Sequence, residues 1–128
     1  PVTDLNLTRS FYVDVLLCNI GRSSDKWIDF DMFGHQVVAH LVDKNDHPAT
    51  NSVDGDDVPA SHFGVILTMN QWNQLKQHLQ QFDIKFIIEP KIRFKGESGE
   101  QATMFFLDPS GNALEFKAFK DDEQIFKI

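Results

Sequence analysis

The sequence predicts an α+β fold made of two βαβββ modules, the first of which lacks most of its opening strand. Two blocks of the chain repeat the order strand, helix, strand and two-stranded hairpin, with low residue identity between them. Within each block, apolar residues recur at helical spacing in one segment and alternate with polar residues in the others. The 128 residues suffice for one domain, so both modules are assigned to a single domain, residues 1–128.

Module one (1–42) starts with its helix, because only Val2 remains where an opening strand is expected. Asp4 is a suitable N-cap for this helix. The helix is predicted from an apolar stripe with spacings of three and four: Leu7 or Thr8, Phe11, Tyr12, Val15 and Leu16.

The rest of module one is predicted to form a turn and a β-hairpin. Residues 21–25 carry turn-forming residues, and residues 27–33 alternate between apolar and acidic side chains. Gly34 suits a tight turn, after which residues 35–42 return as a β-branched strand. Residues 43–60 are rich in Asp, Asn, Gly and Pro and show no periodicity, so they are predicted to be a linker.

Module two (61–119) repeats the order. A strand at 62–69 precedes a helix that Asn70 can cap, with Trp72, Leu75, Leu79 and Phe82 as its apolar stripe. A strand at 84–89 should end at Pro90, and a basic, glycine-containing loop follows. The last elements are strands at 101–107 and 112–119, the turn 108–111 between them, and a tail or short helix at 120–128.

Composition restricts the functional classes. The net charge of −7 argues against a nucleic-acid or anionic-membrane surface, which needs a basic patch. A single cysteine, Cys18, excludes an intrachain disulfide and fits a reducing compartment. No apolar run approaches the length of a membrane span, and no signal-peptide pattern opens the chain. We therefore expect a cytoplasmic protein.

Strand alternation predicts which polar side chains share a face. Glu115 faces away from its apolar neighbours Leu114 and Phe116, and His62 and His40 also occupy the non-apolar faces of their strands. If the strands curve around one cavity, these three side chains can meet. Imidazole and carboxylate groups from separate strands suit a divalent metal. Solvent-exposed side chains without function would give the same pattern.

The turn and strand Asp-Pro-Ser-Gly-Asn-Ala-Leu-Glu-Phe (108–116) resemble the closing hairpin of the vicinal oxygen chelate superfamily. This superfamily includes glyoxalase I, bleomycin-resistance proteins, fosfomycin-resistance enzymes and extradiol dioxygenases. The His62-Phe-Gly-Val segment resembles its second-half opening strand, and Ser10-Phe11-Tyr12 resembles the end of its first helix. The resemblance covers nearly the whole chain and implies paired βαβββ modules in a curved mixed sheet around a metal site.

The resemblance assigns His62 and Glu115 to two metal-ligand positions. A further ligand histidine would precede Pro1. The remaining position, Glu or Gln in glyoxalase-like members, falls at or beside His40, with Gln36 as a substitute. This departure favours iron(II) held by two histidines and one glutamate, with zinc, nickel or manganese as alternatives. His40 would then be a catalytic acid or base rather than a ligand.

The implied function is a dioxygenase-like enzyme acting on a small molecule with vicinal oxygens. Arg93 or Lys95 would hold an anionic group of the substrate, and Phe94 would line its pocket. Two alternatives use the same scaffold: a glyoxalase-type lyase or isomerase, and a small-molecule binding protein of the bleomycin-resistance type without catalysis. Members often pair two chains, so a homodimer is expected.

Overall fold

The structure is a computed structural model that describes residues 1–43, 50–53, 56–59 and 61–126. It divides into two compact units. The first contains Pro1–Pro48 and Asp108–Asn112, and the second contains Ala49–Leu107 and Ala113–Ile128. Helices and strands give the predicted α+β fold. Within the described part of the chain, the helices are too short or too polar to cross a membrane.

In the first unit, α1 (Leu5–Ser10) continues as a π-helical turn (Phe11–Val15). The Asp4 carboxylate accepts two backbone N–H groups of the first turn at 2.8 and 2.9 Å, which confirms the predicted N-cap. The Leu16 N–H donates to the carbonyl oxygen of Phe11, five residues earlier. The predicted stripe is buried except for Leu7: Thr8, Phe11, Tyr12, Val15 and Leu16.

The first unit contains an antiparallel sheet of β1 (Asn19–Ser23), β2 (Trp27–Met32) and β3 (His35–His40), with β2 in the centre. Phe33 and Gly34 form the tight hairpin turn, and both have positive φ angles, 55° and 85°. The core face of β2 is as predicted, with three side chains each 1% exposed: Ile28, Phe30 and Met32.

The predicted turn at residues 21–25 is wrong for residues 21–23, because β1 extends through Ser23 and pairs with β2. The turn begins at Ser24, whose N–H donates to the carbonyl oxygen of Trp27 at 2.9 Å. All five residues of β1 are exposed. An edge strand without a buried face needs no alternation of apolar and polar residues, so the pattern carried no strand signal. A register shift between Ile20 and Ser23 adds to this irregularity.

Val2 lies where the opening strand of module one is predicted. It forms an isolated parallel bridge with Leu41. The Val2 N–H donates to the carbonyl oxygen of His40, and the Val42 N–H donates to the carbonyl oxygen of Val2, both at 2.8 Å.

The turn Asp108–Asn112 belongs to the first unit and is organised by one buried carboxylate. Oδ1 of Asp108 accepts the backbone N–H groups of Ser110 and Asn112 at 2.9 and 2.8 Å. Oδ2 accepts the Tyr12 hydroxyl at 3.2 Å and the Asn112 amide at 2.8 Å. Burial, and then the Asp108 charge, raise the pKa of Tyr12, so this phenol stays protonated.

The second unit contains a four-stranded mixed sheet with the order β6-β9-β8-β7. Its strands are β6 (His62–Ile66), β7 (Phe86–Arg93), β8 (Gln101–Leu107) and β9 (Ala113–Phe119). β6 is parallel to β9, and the other pairs are antiparallel. A short 3₁₀ helix (Asp122–Gln124) follows β9.

One face of this sheet is covered by α2 (Met69–Leu79). The Trp72 indole N–H donates to the carbonyl oxygen of Phe116 at 3.1 Å, and Leu75 and Leu79 are also buried. The predicted cap, Asn70, is wrong. The cap is Thr68, which forms a capping box with Gln71 and therefore ends the preceding strand earlier than predicted.

The predicted end of a strand at Pro90 is also wrong, since β7 continues to Arg93. The pairing of β7 with β8 shifts register between Ile88 and Lys91, on either side of the proline. β7 is also an edge strand. A bulged edge strand accepts proline because the missing N–H is not required for the ladder.

The segment predicted to be a linker contains an antiparallel hairpin of β4 (Thr50–Val53) and β5 (Asp56–Pro59). The predicted linker, residues 43–60, therefore contains strands at these eight residues. Asp43 lies in a bend, and residues 44–49, 54–55 and 60 lie outside the described residues. The sequence offered no strand signal here, because its polar residues do not alternate with apolar ones.

Candidate metal centre

The parallel pairing of β6 with β9 brings His62 and Glu115 to the same face of the sheet. In this register His62 lies opposite Ala113, and Gly64 lies opposite Glu115. The neighbouring residues of β9 that point to the α2 side are fully buried, Leu114 and Phe116. Because alternate residues of a strand face opposite sides, Glu115 must point away from α2. Nε2 of His62 lies 3.8 Å from Oε2 of Glu115.

The backbone of the neighbouring hairpin fixes the orientation of His62. Nδ1 of its ring lies 2.9 Å from the carbonyl oxygen of Pro59. A carbonyl oxygen can only accept, so Nδ1 carries a hydrogen, and Nε2 is the ring nitrogen that faces Glu115. The ring also packs edge-on against Phe105, with centroids 5.1 Å apart. A hydrogen-bonded Nδ1 is the usual support of a histidine that ligates through Nε2.

The two oxygens of Glu115 have different surroundings. Oε1 accepts the Thr103 hydroxyl at 3.2 Å and lies 3.3 Å from the Lys117 ammonium. Oε2 is the oxygen that faces His62. Thr103 is completely buried, and the Glu115 side chain is only 17% exposed. The carboxylate is therefore held through one oxygen and directs the other toward the imidazole.

The donor atoms suit a divalent metal. A distance of 3.8 Å is too long for a hydrogen bond between Nε2 and Oε2. Two ligands bound at about 2.1 Å to one ion at a tetrahedral angle lie about 3.4 Å apart, so a small side-chain movement would bring both to one ion. In the described part of the chain, no group of three or more His, Cys, Asp or Glu side chains forms a candidate site. His62 and Glu115 would therefore supply two ligands, which is fewer than a divalent metal takes.

Apolar residues pack against His62 and Glu115. Ile88, Phe105 and Ala113 form a buried cluster, against which Ile87 packs. Phe105 lies opposite Glu115 in the β8–β9 register and also contacts the His62 ring. Apolar surroundings lower the local dielectric, which strengthens interactions between the ligands and a cation.

His40, the predicted catalytic residue, is exposed at the end of β3 in the first unit, opposite Trp27. The predicted substrate-binding residues lie at the end of β7 and just after it. The Arg93 guanidinium is 5.1 Å from the Phe94 ring centroid, and Phe94 is 46% exposed with a φ of 53°. Lys95 is exposed in the following loop. These four functional assignments stay predictions.

Two residues at the site were missed by the sequence reasoning, Thr103 and Lys117. Lys117 lies two positions after Glu115, so alternation alone places it on the same face. Thr103 lies opposite Lys117 in the β8–β9 register. The β8–β9 register follows from the position of the turn Asp108–Asn112. Counting residues outward from that turn pairs Thr103 with Lys117.

The comparisons with known proteins agree on the fold. The family model described as "Glyoxalase/Bleomycin resistance protein/Dioxygenase superfamily" matches residues 1–116. A solved glyoxalase/bleomycin resistance protein/dioxygenase from Alicyclobacillus acidocaldarius is 33% identical, with a TM-score of 0.81, covering 98% of this chain and 91% of that chain. No curated protein matches the chain.

More distant structures share the fold at lower identity. The fosfomycin resistance protein FosX from Listeria monocytogenes has a TM-score of 0.70 at 17% identity, covering 97% of this chain and 91% of that chain. A glutamate-to-glutamine mutant of FosX, solved in complex with Mn(II) and 1S,2S-dihydroxypropylphosphonic acid, has a TM-score of 0.68 at 17% identity, covering 98% of this chain and 89% of that chain.

Proposed function

The chain belongs to the glyoxalase/bleomycin resistance protein/dioxygenase superfamily, and from that premise we propose that it is a metal-dependent enzyme acting on a small molecule with vicinal oxygens. His62 and Glu115 would be two of its metal ligands. The observation that carries this proposal is the approach of Nε2 and Oε2 to 3.8 Å, while their partner atoms Nδ1 and Oε1 are occupied by protein groups.

A divalent metal bound there would act as a Lewis acid toward two vicinal oxygens of the substrate. The chain's own residues would do the rest. Pro59 and Thr103 hold the two proposed ligand side chains in place, and the buried cluster that includes Phe105 packs against them. Arg93, with Phe94 against it, would bind an anionic group of the substrate, and Lys95 is the second candidate for that role.

Dioxygenase-like chemistry with iron(II) is the form of the function that we favour. A ligand set of histidine and one carboxylate with open positions suits non-haem iron. The second candidate is a non-redox lyase, isomerase or addition reaction that uses manganese, zinc or nickel. It is favoured by the Mn(II) in the complex of the FosX mutant, which has the same fold.

Metal content tests the proposal. The protein is purified anaerobically without chelators and subjected to elemental analysis, alongside His62→Ala and Glu115→Ala. His35→Ala is the matched control, because His35 is exposed on the β2–β3 hairpin. After reconstitution with excess metal, we expect about one metal per chain in the wild type and the control, and several-fold less in the two site variants.

The identity of the bound metal also distinguishes the dioxygenase-like function from the non-redox one. Iron, together with oxygen consumption in a catechol screen, supports the dioxygenase-like function, whereas manganese, zinc or nickel supports the non-redox one. Absence of metal after reconstitution, or equal content in all variants, would contradict the proposal and favour a binding protein of the bleomycin-resistance type.

A further inference from the structure

We propose that the charge of Lys117 makes the His62–Glu115 site weak for a bare divalent cation and selective for the cation together with an anionic oxygen ligand. This inference rests on the proposed function and adds the class of ligand: a molecule with a carboxylate, phosphonate or similarly charged group beside the oxygens that reach the metal.

Lys117 forms an ion pair with Glu115, one of the two proposed metal ligands. Its ammonium lies 3.3 Å from Oε1 of Glu115, and its side chain is 33% exposed. The Thr103 hydroxyl donates to the same oxygen from the adjacent strand. Both groups therefore restrain Glu115 to present a single oxygen, Oε2, toward His62.

The charges at the site follow from these contacts. The Glu115 carboxylate is balanced by the Lys117 ammonium, and the His62 imidazole contributes no negative charge. A dication that binds to Oε2 and Nε2 therefore enters a group of side chains with no net negative charge, close to an ammonium that repels it. A ligand that brings its own negative charge offsets this repulsion, so cation and anion bind more tightly together than separately.

The surrounding face has more positive groups. In the sheet register Lys91 lies opposite Thr103, and Thr103 lies opposite Lys117, so one row across three strands carries two lysines. Arg93 lies opposite Gln101 in the next row. Directly opposed residues of an antiparallel pair point to the same face, which places these cationic residues on the face of Glu115. Such a row suits a carboxylate or phosphonate group.

Manganese affinity tests the role of Lys117. Free Mn(II) is followed by electron paramagnetic resonance while the full chain is titrated, first with Mn(II) alone and then with oxalate, an anion with two vicinal oxygens. For Lys117→Met we expect Mn(II) alone to bind about tenfold more tightly, because the repulsion is lost. We also expect oxalate to strengthen Mn(II) binding less than it does in the wild type.

Three further variants give the controls. Lys117→Arg keeps the charge and should bind Mn(II) like the wild type. Lys120→Met removes the same charge from another ion pair of this unit, with Glu100 at 3.4 Å, and should leave Mn(II) affinity unchanged. Thr103→Val removes the restraint on Glu115 without changing charge and should weaken Mn(II) binding. Unfolding transitions establish that each variant is folded.

Equal or weaker Mn(II) binding in folded Lys117→Met would overturn the Lys117 proposal while leaving the proposed function intact. The same holds if Lys120→Met tightens binding as much as Lys117→Met does. If the wild type and every variant fail to bind Mn(II) both with and without oxalate, this inference fails. The proposed function fails as well only if elemental analysis also finds no metal after reconstitution.

Discussion

The close approach of the β6 and β9 backbones at the proposed metal centre predicts that Gly64→Ala will damage both the fold and the site. Gly64 lies opposite Glu115 in the parallel pairing of β6 and β9. A Cβ atom at position 64 would overlap the carbonyl oxygen of Glu115, and it would lie 2.6 Å from the carbonyl carbon and 3.1 Å from the amide nitrogen of the same residue. These are backbone atoms, so no side-chain rotation can relieve the overlap and the two strands must separate.

The expected cost is about 3 kcal/mol. Overpacking costs about 1–3 kcal/mol, and two lengthened ladder hydrogen bonds cost about 1 kcal/mol each. Alanine recovers about 0.5–1 kcal/mol relative to glycine, because the unfolded chain loses less conformational freedom on folding. With an unfolding entropy of about 2.1 cal/mol/K per residue over 128 residues, this lowers Tm by about 11 °C.

Thermal and urea unfolding of Gly64→Ala, followed by circular dichroism, measure this cost. The control is Gly21→Ala on the exposed edge strand β1, where the added Cβ meets a side-chain atom, Cβ of Asp29, at 3.2 Å. We expect the control to change stability by less than about 1 kcal/mol. We also expect Gly64→Ala to lose metal, because the separation of the strands moves Glu115 away from His62. A Tm within about 2 °C of the wild type would refute the reasoning, because the overlap would then relax at little cost.

Two further predictions concern the second unit. Trp72→Phe should destabilise the fold by about 1–3 kcal/mol in urea unfolding, because it leaves the buried carbonyl oxygen of Phe116 without its indole donor; an unchanged midpoint would contradict this. The backbone N–H of Gly96, and then Lys120, lower the pKa of Glu100. Its contribution to stability is therefore complete above the ordinary carboxyl pKa of 4.5 and lost as the pH falls through the lowered value. Glu100→Gln should accordingly be less stable than the wild type at about pH 6 but equally stable at a pH well below the lowered pKa; a constant difference at both would contradict this.

The fold was predictable wherever a buried face produced a periodic pattern. The stripe of α1 and the alternation of β2 and β9 gave their elements correctly, because each buries one face. The strands that were not predicted lack such a face. β1 is exposed throughout, and the polar hairpin of β4 and β5 has no alternation, so neither could be recognised from apolar spacing.

Local chemistry misled the prediction at two boundaries. Asn70 is a common cap residue, but Thr68 followed by Gln71 forms the complete capping box, which satisfies backbone groups reciprocally. Pro90 usually ends a strand, but β7 accommodates it at a bulge in an edge position. The capping box depends on a partner three residues along the chain, and the bulge depends on the neighbouring strand β8. The preference of a single residue type for caps or strand ends does not predict either contact.

The proximity of His62 and Glu115 was predictable because the same packing that stabilises β9 also determines which way Glu115 points. A slip of one residue in β9 would turn Glu115 toward α2 and expose Leu114 and Phe116, which are fully buried. Burying an unpaired carboxylate there while exposing two large apolar side chains costs several kcal/mol. The face of Glu115 is therefore fixed by the core, even though its partners Thr103 and Lys117 depend on strand register. For this reason a substitution that disturbs the β6–β9 pairing should reduce metal binding at the proposed site even when it replaces neither His62 nor Glu115.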